Sequence, residues 1–253
     1  MSIDADAWKS AVGRADSIFI LSGNSVLRSA DGNEWTEVGT DNTLKQLVAT
    51  SHQELYALAQ DGQLKLSTDG GASWTAETLG DDEDGALLPQ QDIAYTTTAM
   101  TQVGETDYVL LAGSRDATAY PQDEAAMVWR KIAAYDSDSE TGKWVYLNVD
   151  DNNPYFLPRL ANLTMLPYSD GVLAIGGNGI GNCTTEAFTQ IYQSRDGGIT
   201  WKKNARFVLP DSFESSTTSF AATADNKGHI WLFCGESGQV WRGHLNSVVW
   251  NYQ

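Results

Sequence analysis

Residues 65–74 read "KLSTDGGASW" and residues 192–201 read "YQSRDGGITW". The two stretches share a Ser-x-Asp-Gly-Gly-x-x-Trp spacing, carried by Ser67, Asp69, Gly70, Gly71 and Trp74 in one and by Ser194, Asp196, Gly197, Gly198 and Trp201 in the other. A third stretch, "RSADGNEW" at 28–35, repeats the pattern with Ser29, Asp31, Gly32 and Trp35. Recurrence of one box so far apart along a chain points to a repeated supersecondary unit, and the unit decides the fold.

Around the boxes lie short apolar runs, "SIFIL" (17–21), "ELYALA" (54–59), "DYVLLAG" (107–113), "GVLAIGG" (171–177) and "HIWLFCG" (229–235). They have strand length, are flanked by turn formers, and carry no sustained helical period. Each follows another strand-like segment and precedes a hairpin such as "GQLKLSTDGGASWTAE", so the unit is four strands long. Alignment gives five units, at roughly 6–39, 44–79, 90–147, 159–204 and 216–253, within one domain spanning 1–253. Four-stranded units at this spacing predict an all-β fold, a β-propeller of four-stranded blades. Five blades are expected; six is the alternative if a blade lies outside this chain or the first unit closes the last.

The box has a physical role in such a blade, at the turn between the third and fourth strands. Aspartate accepts backbone N–H bonds there, glycine supplies a positive φ, and tryptophan packs into the blade. Asp31, Asp69 and Asp196, with Trp35, Trp74 and Trp201, resemble the Asp-box (BNR) repeat of sialidases and related propellers. "LPRLANLTMLPYSDGVLAIGG", with Gly176 and Gly177, and "VWRKIAAYDSDSETGKWVYL", with Trp144, look like kelch blades. The mixture is similar to propeller domains of surface lipoproteins predicted in gut anaerobes. That resemblance implies an extracytoplasmic setting, cell surface or periplasm, with the export signal absent from this chain.

Composition limits the partners. With 16 basic against 33 acidic residues the net charge is −17, which repels phosphate backbones and anionic membranes, so nucleic acid is not expected as a partner. No stretch approaches about 18 apolar residues, so membrane insertion is not expected either. A chain of 253 residues buries roughly 70–75% of its unfolded surface and needs no staple. Cys183 and Cys234 are expected to be buried thiols rather than a disulfide, and the molecule a monomer.

Loop length separates the two faces of the disc. Turns joining strands one to two are short, and those joining three to four are mostly boxes. The long insertions fall on the opposite face, at 80–91, 114–125, 148–159, 177–188 and 204–215. A rigid scaffold with elaborated loops carries its site on those loops. They supply the expected ligand-binding residues Arg115, Tyr120, Tyr155, Phe156, Arg159, Asn178, Glu186 and Arg206. Aromatic rings with amide, carboxylate and guanidinium groups suit a glycan or protein ligand.

Catalysis has weaker support. Sialidases use an arginine triad, a tyrosine nucleophile and a carboxylate acid, with an Arg-Ile-Pro pattern near the first blade. Arg14 and Arg28 are not followed by Ile-Pro. Asp116, Glu186 and Asp211 are glycosidase candidates by position only. His52, His229 and His244 lack metal-ligand spacing, and no metal or cofactor is expected. Calcium is the one weak alternative, at "DDED" (81–84), "DDNN" (150–153) or Asp136-x-Asp138-x-Glu140. The expected function is therefore a non-catalytic binding or interaction module. The alternatives are a glycoside hydrolase of sialidase-like propeller type and a structural scaffold domain.

Overall fold

A computed structural model of the chain describes residues 8–14, 17–77, 79, 95–103, 108–115, 126–132, 144–147, 155–158, 160–168, 171–178, 190–203, 220–225, 227–234, 239–244 and 251–252. They form twenty strands in five four-stranded antiparallel sheets. Blade one holds β1 (Trp8–Arg14), β2 (Ser17–Ser22), β3 (Ser25–Ser29) and β4 (Thr36–Thr40). Blade two holds β5 (Leu44–Ala49), β6 (Leu55–Ala59), β7 (Leu64–Ser67) and β8 (Thr75–Ala76). Blade three holds β9 (Tyr95–Val103), β10 (Tyr108–Arg115), β11 (Met127–Ile132) and β12 (Trp144–Tyr146). Blade four holds β13 (Leu160–Tyr168), β14 (Gly171–Asn178), β15 (Gln190–Ser194) and β16 (Lys202–Lys203). Blade five holds β17 (Phe220–Ala224), β18 (His229–Cys234), β19 (Gln239–His244) and β20 (Asn251–Tyr252). The expected five-bladed, all-β propeller is the architecture found.

Within every blade the strands pair in chain order. The first strands touch in succession, β1 with β5, β5 with β9, β9 with β13 and β13 with β17, and so gather around one axis. Blades stack face to face, and the apolar runs of the second strands supply both faces. In β6, Leu55 and Ala57 join Phe19, Leu21 and Val26 of blade one, while Tyr56 and Leu58 join Val109, Leu111 and Trp129 of blade three. In β10 the alternate residues Leu110 and Ala112 turn instead to Val172, Ala174 and Met165 of blade four. Leu173 and Ile175 of β14 meet Ile230 and Leu232 of blade five. A strand buried on both faces reads as a continuous apolar run rather than an alternating one. Each large side chain buried this way contributes roughly 1.5–3 kcal/mol.

Register departs from regularity on the first strands. Between Trp8 and Ser10, Leu44 and Gln46, Thr97 and Ala99, and Ala161 and Thr164, the first strand carries one residue more than the second strand it pairs with. These are β-bulges, and they fall near the entry to each strand.

Candidate functional site

The repeated boxes form the turns β3–β4, β7–β8 and β15–β16. In blade two the Ser67 hydroxyl donates to Asp69 Oδ1 (2.8 Å) and accepts from the Gly71 N–H (2.8 Å), while Asp69 Oδ1 accepts from the Ser73 N–H (2.9 Å). Blade four repeats this arrangement with Ser194, Asp196, Gly198 and Thr200. Gly71 and Gly198 hold φ of +93° and +90°, a region that L side chains rarely adopt. Blade one makes a turn one residue shorter. The Ser29 hydroxyl accepts from Gly32, three positions on rather than four, and a second glycine is not needed.

These turns also hold blade to blade. A Cβ added at Gly198 would stand 2.9 Å from Leu110 Cδ2 and 3.1 Å from Leu147 Cδ1, both in blade three. A Cβ at Gly39 of β4 would collide with the Gly71 carbonyl oxygen of blade two. Trp201 is 2% exposed, donates Nε1–H to the Gly198 carbonyl (2.9 Å), and packs with Leu110 and Val128 of blade three. The expectation that the tryptophan packs into its own blade is thus refined: it fills the seam with the preceding one. Trp74, half-buried, packs against the cluster between blades one and two, and Trp35, also half-buried, donates its Nε1–H to the Gly32 carbonyl (3.0 Å).

The turn carboxylates are held ionised. Hydrogen bonds from Ser73 take Asp69 down to about 2, and the backbone N–H of Asn33 lowers Asp31. At Asp196 and Asp41 burial pushes the carboxyl up, yet it is outweighed by Thr200 and Ser194 at the first and by Lys65 and Thr43 at the second. At Asp225 burial is outweighed by the His229 and Lys227 N–H groups and the His229 ring. His229 lies between Asp225 Oδ2 (2.8 Å from Nδ1) and Arg242 Nη2 (2.6 Å from Nε2), with the Arg242 guanidinium 5.4 Å from the Trp231 ring centroid. Among the described residues no group of three or more His, Cys, Asp or Glu converges as a metal site, and no helix is long and apolar enough to cross a membrane.

The two faces can be told apart by their bonds. The Gly70 N–H donates to the Gln53 carbonyl (2.8 Å), so the three-to-four turn of blade two adjoins its one-to-two turn. At the other end of the strands the Gln60 N–H, in the two-to-three turn, donates to the Thr43 carbonyl (2.7 Å) at the entry to β5. Lys65 there donates to Asp41 Oδ2 (2.7 Å) and Thr43 Oγ1 (2.8 Å), tying the link between blades one and two.

Of the expected ligand-binding residues, Tyr120, Arg159, Glu186 and Arg206 lie outside the described residues, as do Asp116, Asp211 and Cys183. Arg115 ends β10 and Asn178 ends β14, both at the two-to-three end of their strands. Tyr155 is 50% exposed and Phe156 half-buried. The Tyr155 carbonyl accepts from the Trp201 N–H (2.6 Å), and Lys202 Nζ stands 5.5 Å from its ring centroid. Tyr155 therefore sits at the rim, beside the outermost strand of blade four. Lys45 sits at the bulge of β5, and nothing in a single sequence marks such an inserted residue.

A comparison with curated protein sequences finds no match. Solved structures similar in fold include streptogramin B lyase, at a TM-score of 0.54 and 13% identity over 100% of this chain and 70% of that one. The nidogen/laminin complex gives a TM-score of 0.54 at 9% identity, over 94% of this chain and 76% of that one. YCF48 bound to D1 peptide gives 0.46 at 13% identity, over 97% of this chain. The chain spans 66% of that YCF48 chain and 52% of the one from Cyanidioschyzon merolae. At such identities the likeness is one of fold. Family membership rests on the sequence itself: the chain belongs to the family of the DUF6242 beta propeller domain, whose family model matches residues 1–253.

Proposed function

We propose that the molecule is a non-catalytic binding or interaction module of an exported bacterial surface protein, engaging a glycan or protein through its long-loop face. The observation that carries this reading is the state of the aspartates. Asp31, Asp41, Asp69, Asp196 and Asp225 are all shifted toward ionisation by bonds that build turns and links. A glycosidase acid needs the opposite shift. Asp116, Glu186 and Asp211, on the loops, are the hydrolase candidates by position. The Asp-box and kelch-like kinship, the extracytoplasmic setting, the monomeric state and the lack of a cofactor belong to the same proposal.

A glycan-array and peptide screen of the wild type against a Tyr155→Ala, Arg159→Ala double variant tests it. Binding by the wild type that the double variant loses is the expected result. Binding unchanged in the double variant moves the site elsewhere, and no binding by either favours a scaffold. Turnover of fluorogenic glycosides that vanishes in an Asp116, Glu186 or Asp211 variant would establish a hydrolase instead.

A further inference from the structure

Blade five departs from its neighbours on the sheet face turned away from blade four. Successive residues of a strand point to opposite faces, and residues paired across two strands share one. Ile230 and Leu232 of β18 pack with Leu173 and Ile175 of blade four. His229, Trp231 and Phe233 therefore face the other way, opposite His244, Arg242 and Val240 of β19. In β6, β10 and β14 both faces are buried against adjacent blades, whereas Phe233 is 38% exposed. His229 and His244 lie at the strand end where the one-to-two turn adjoins the three-to-four turn, as the Gly70–Gln53 bond shows in blade two.

Arg242, half-buried, is the charge of this face. Its guanidinium stands 5.4 Å from the Trp231 ring centroid, and its Nη2 lies 2.6 Å from His229 Nε2. Among the described residues no carboxylate pairs with it, in a chain of 33 acidic residues. The Asp225 carboxylate of the same blade is taken up elsewhere. Its Oδ1 accepts from the Lys227 and His229 N–H groups (2.9 Å each), and its Oδ2 faces His229 Nδ1 (2.8 Å) and the Trp231 indole N–H (3.4 Å). The Arg242 Nε–H is buried with no hydrogen-bond partner among the described residues, a state that buried donors rarely keep. Arginine offers donors only, so what the group lacks is an acceptor, and an anionic oxygen is the strongest one. The surroundings are already fixed. The Tyr168 hydroxyl of blade four donates to the Gly228 carbonyl (3.2 Å), the Gly228 N–H to the Asp225 carbonyl (3.1 Å), and the His229 and His244 ring centroids stand 4.1 Å apart. Such preorganisation lowers the cost of binding.

We propose that this face of blade five binds a small monocarboxylic acid with an apolar body, its carboxylate on Arg242 beside His244 and its body along Phe233. A guanidinium backed by an aromatic ring suits the planar, two-oxygen carboxylate. The net charge of −17 opposes a multiply charged ligand but tolerates a single charge. An exposed ring next to the charge supplies the apolar contact. The site is separate from the one proposed for the long loops, which lie at the other end of the strands.

The chain has three histidines, two of them in the site, so imidazole proton resonances report on it directly. Titration of the full chain with 3-phenylpropionate at fixed pH should move the His229 and His244 signals to saturation and leave that of His52, in blade two, in place. 3-Phenylpropionamide should move none of them, and acetate, which lacks the ring, should bind about tenfold more weakly. Arg242→Gln should weaken the acid about tenfold or more, whereas Lys227→Gln, which removes an exposed charge close by, should leave it unchanged. Phe233 is exposed, so Phe233→Ser keeps the fold and should lose the advantage of 3-phenylpropionate over acetate. No shift with the acid, equal shifts with acid and amide, Arg242→Gln binding as the wild type does, or Lys227→Gln weakening the acid as much as Arg242→Gln would overturn the proposal. Binding kept in Arg242→Gln but lost in the Tyr155→Ala, Arg159→Ala variant would overturn it too, and would leave the long-loop reading standing.

Discussion

Alanine at Gly198 meets two separable obstacles. Its φ of +90° puts a side-chain-bearing residue in the left-handed region, at a cost of about 1–2 kcal/mol. The new Cβ would also stand 2.9 Å from Leu110 Cδ2 and 3.1 Å from Leu147 Cδ1, and such overpacking costs roughly 1–3 kcal/mol. Gly198→Ala should therefore lose about 2–5 kcal/mol. Gly32→Ala in blade one is the control. Its φ is +80°, but the Cβ meets only Ile18 Cδ1 at an ordinary 3.6 Å, so the loss should be about 1–2 kcal/mol. Gly13, with nothing within 4 Å of an added Cβ, is expected to be near neutral. Urea unfolding followed by tryptophan fluorescence measures all three, provided the m-value is unchanged. If Gly198→Ala and Gly32→Ala agree within about 0.5 kcal/mol, the scatter of ordinary surface substitutions, the turn of blade four does not seal the seam with blade three.

Three further outcomes follow from the same turns and strands. Asp196→Ala, which removes acceptors for the Thr200 N–H and the Ser194 and Thr200 hydroxyls, should cost about 1–2 kcal/mol and leave ligand affinity unchanged; loss of binding at full stability would contradict the structural role. The folded-state pKa values of Asp31, Asp41, Asp69, Asp196 and Asp225 lie below their unfolded ones, so their contribution is present above about pH 4 and is lost as pH falls through the folded values, toward about 2 for Asp69. Unfolding measured from pH 5 downward should show stability falling, less steeply in Asp69→Asn; stability that rises on acidification would contradict the assignment. Far-ultraviolet circular dichroism should show a β spectrum with no helical signal beyond the few per cent that turns contribute, on the order of 3–4%, and clear α-helical minima would refute the fold.

The sequence showed the blades plainly because their physics is local. A run such as Leu55–Ala59 between turn formers has one reading, and an identical Ser-Asp-Gly-Gly hydrogen-bond set at Ser67 and Ser194 leaves identical letters. Blade one shows the limit. Its turn at Ser29 is a residue shorter, and only the Gly32 N–H bond explains why one glycine suffices. Which blade a tryptophan serves was not legible, since Trp201 packs against Leu110, far away in the chain. Nor were the bulges: Lys45 looks like any strand residue until its register against Leu58 and Ala59 is known. Tyr155, expected at the ligand face from loop length, also has its carbonyl bonded to the Trp201 N–H, a pairing that the sequence does not disclose. Loop length orders segments between strands but carries no information on where a backbone within the loop finds its partner.

The boxes make one face of the disc structural, and the glycan or protein binding proposed above belongs to the face of the long loops. Hydrogen exchange of the chain with and without a ligand found by the glycan and peptide screen tests that division most directly. Slowed exchange is expected in 114–125, 148–159 and 177–188, with the turns at 29–35, 67–74 and 194–201 unchanged. Protection confined to those turns, with the loops indifferent to ligand, would contradict the division.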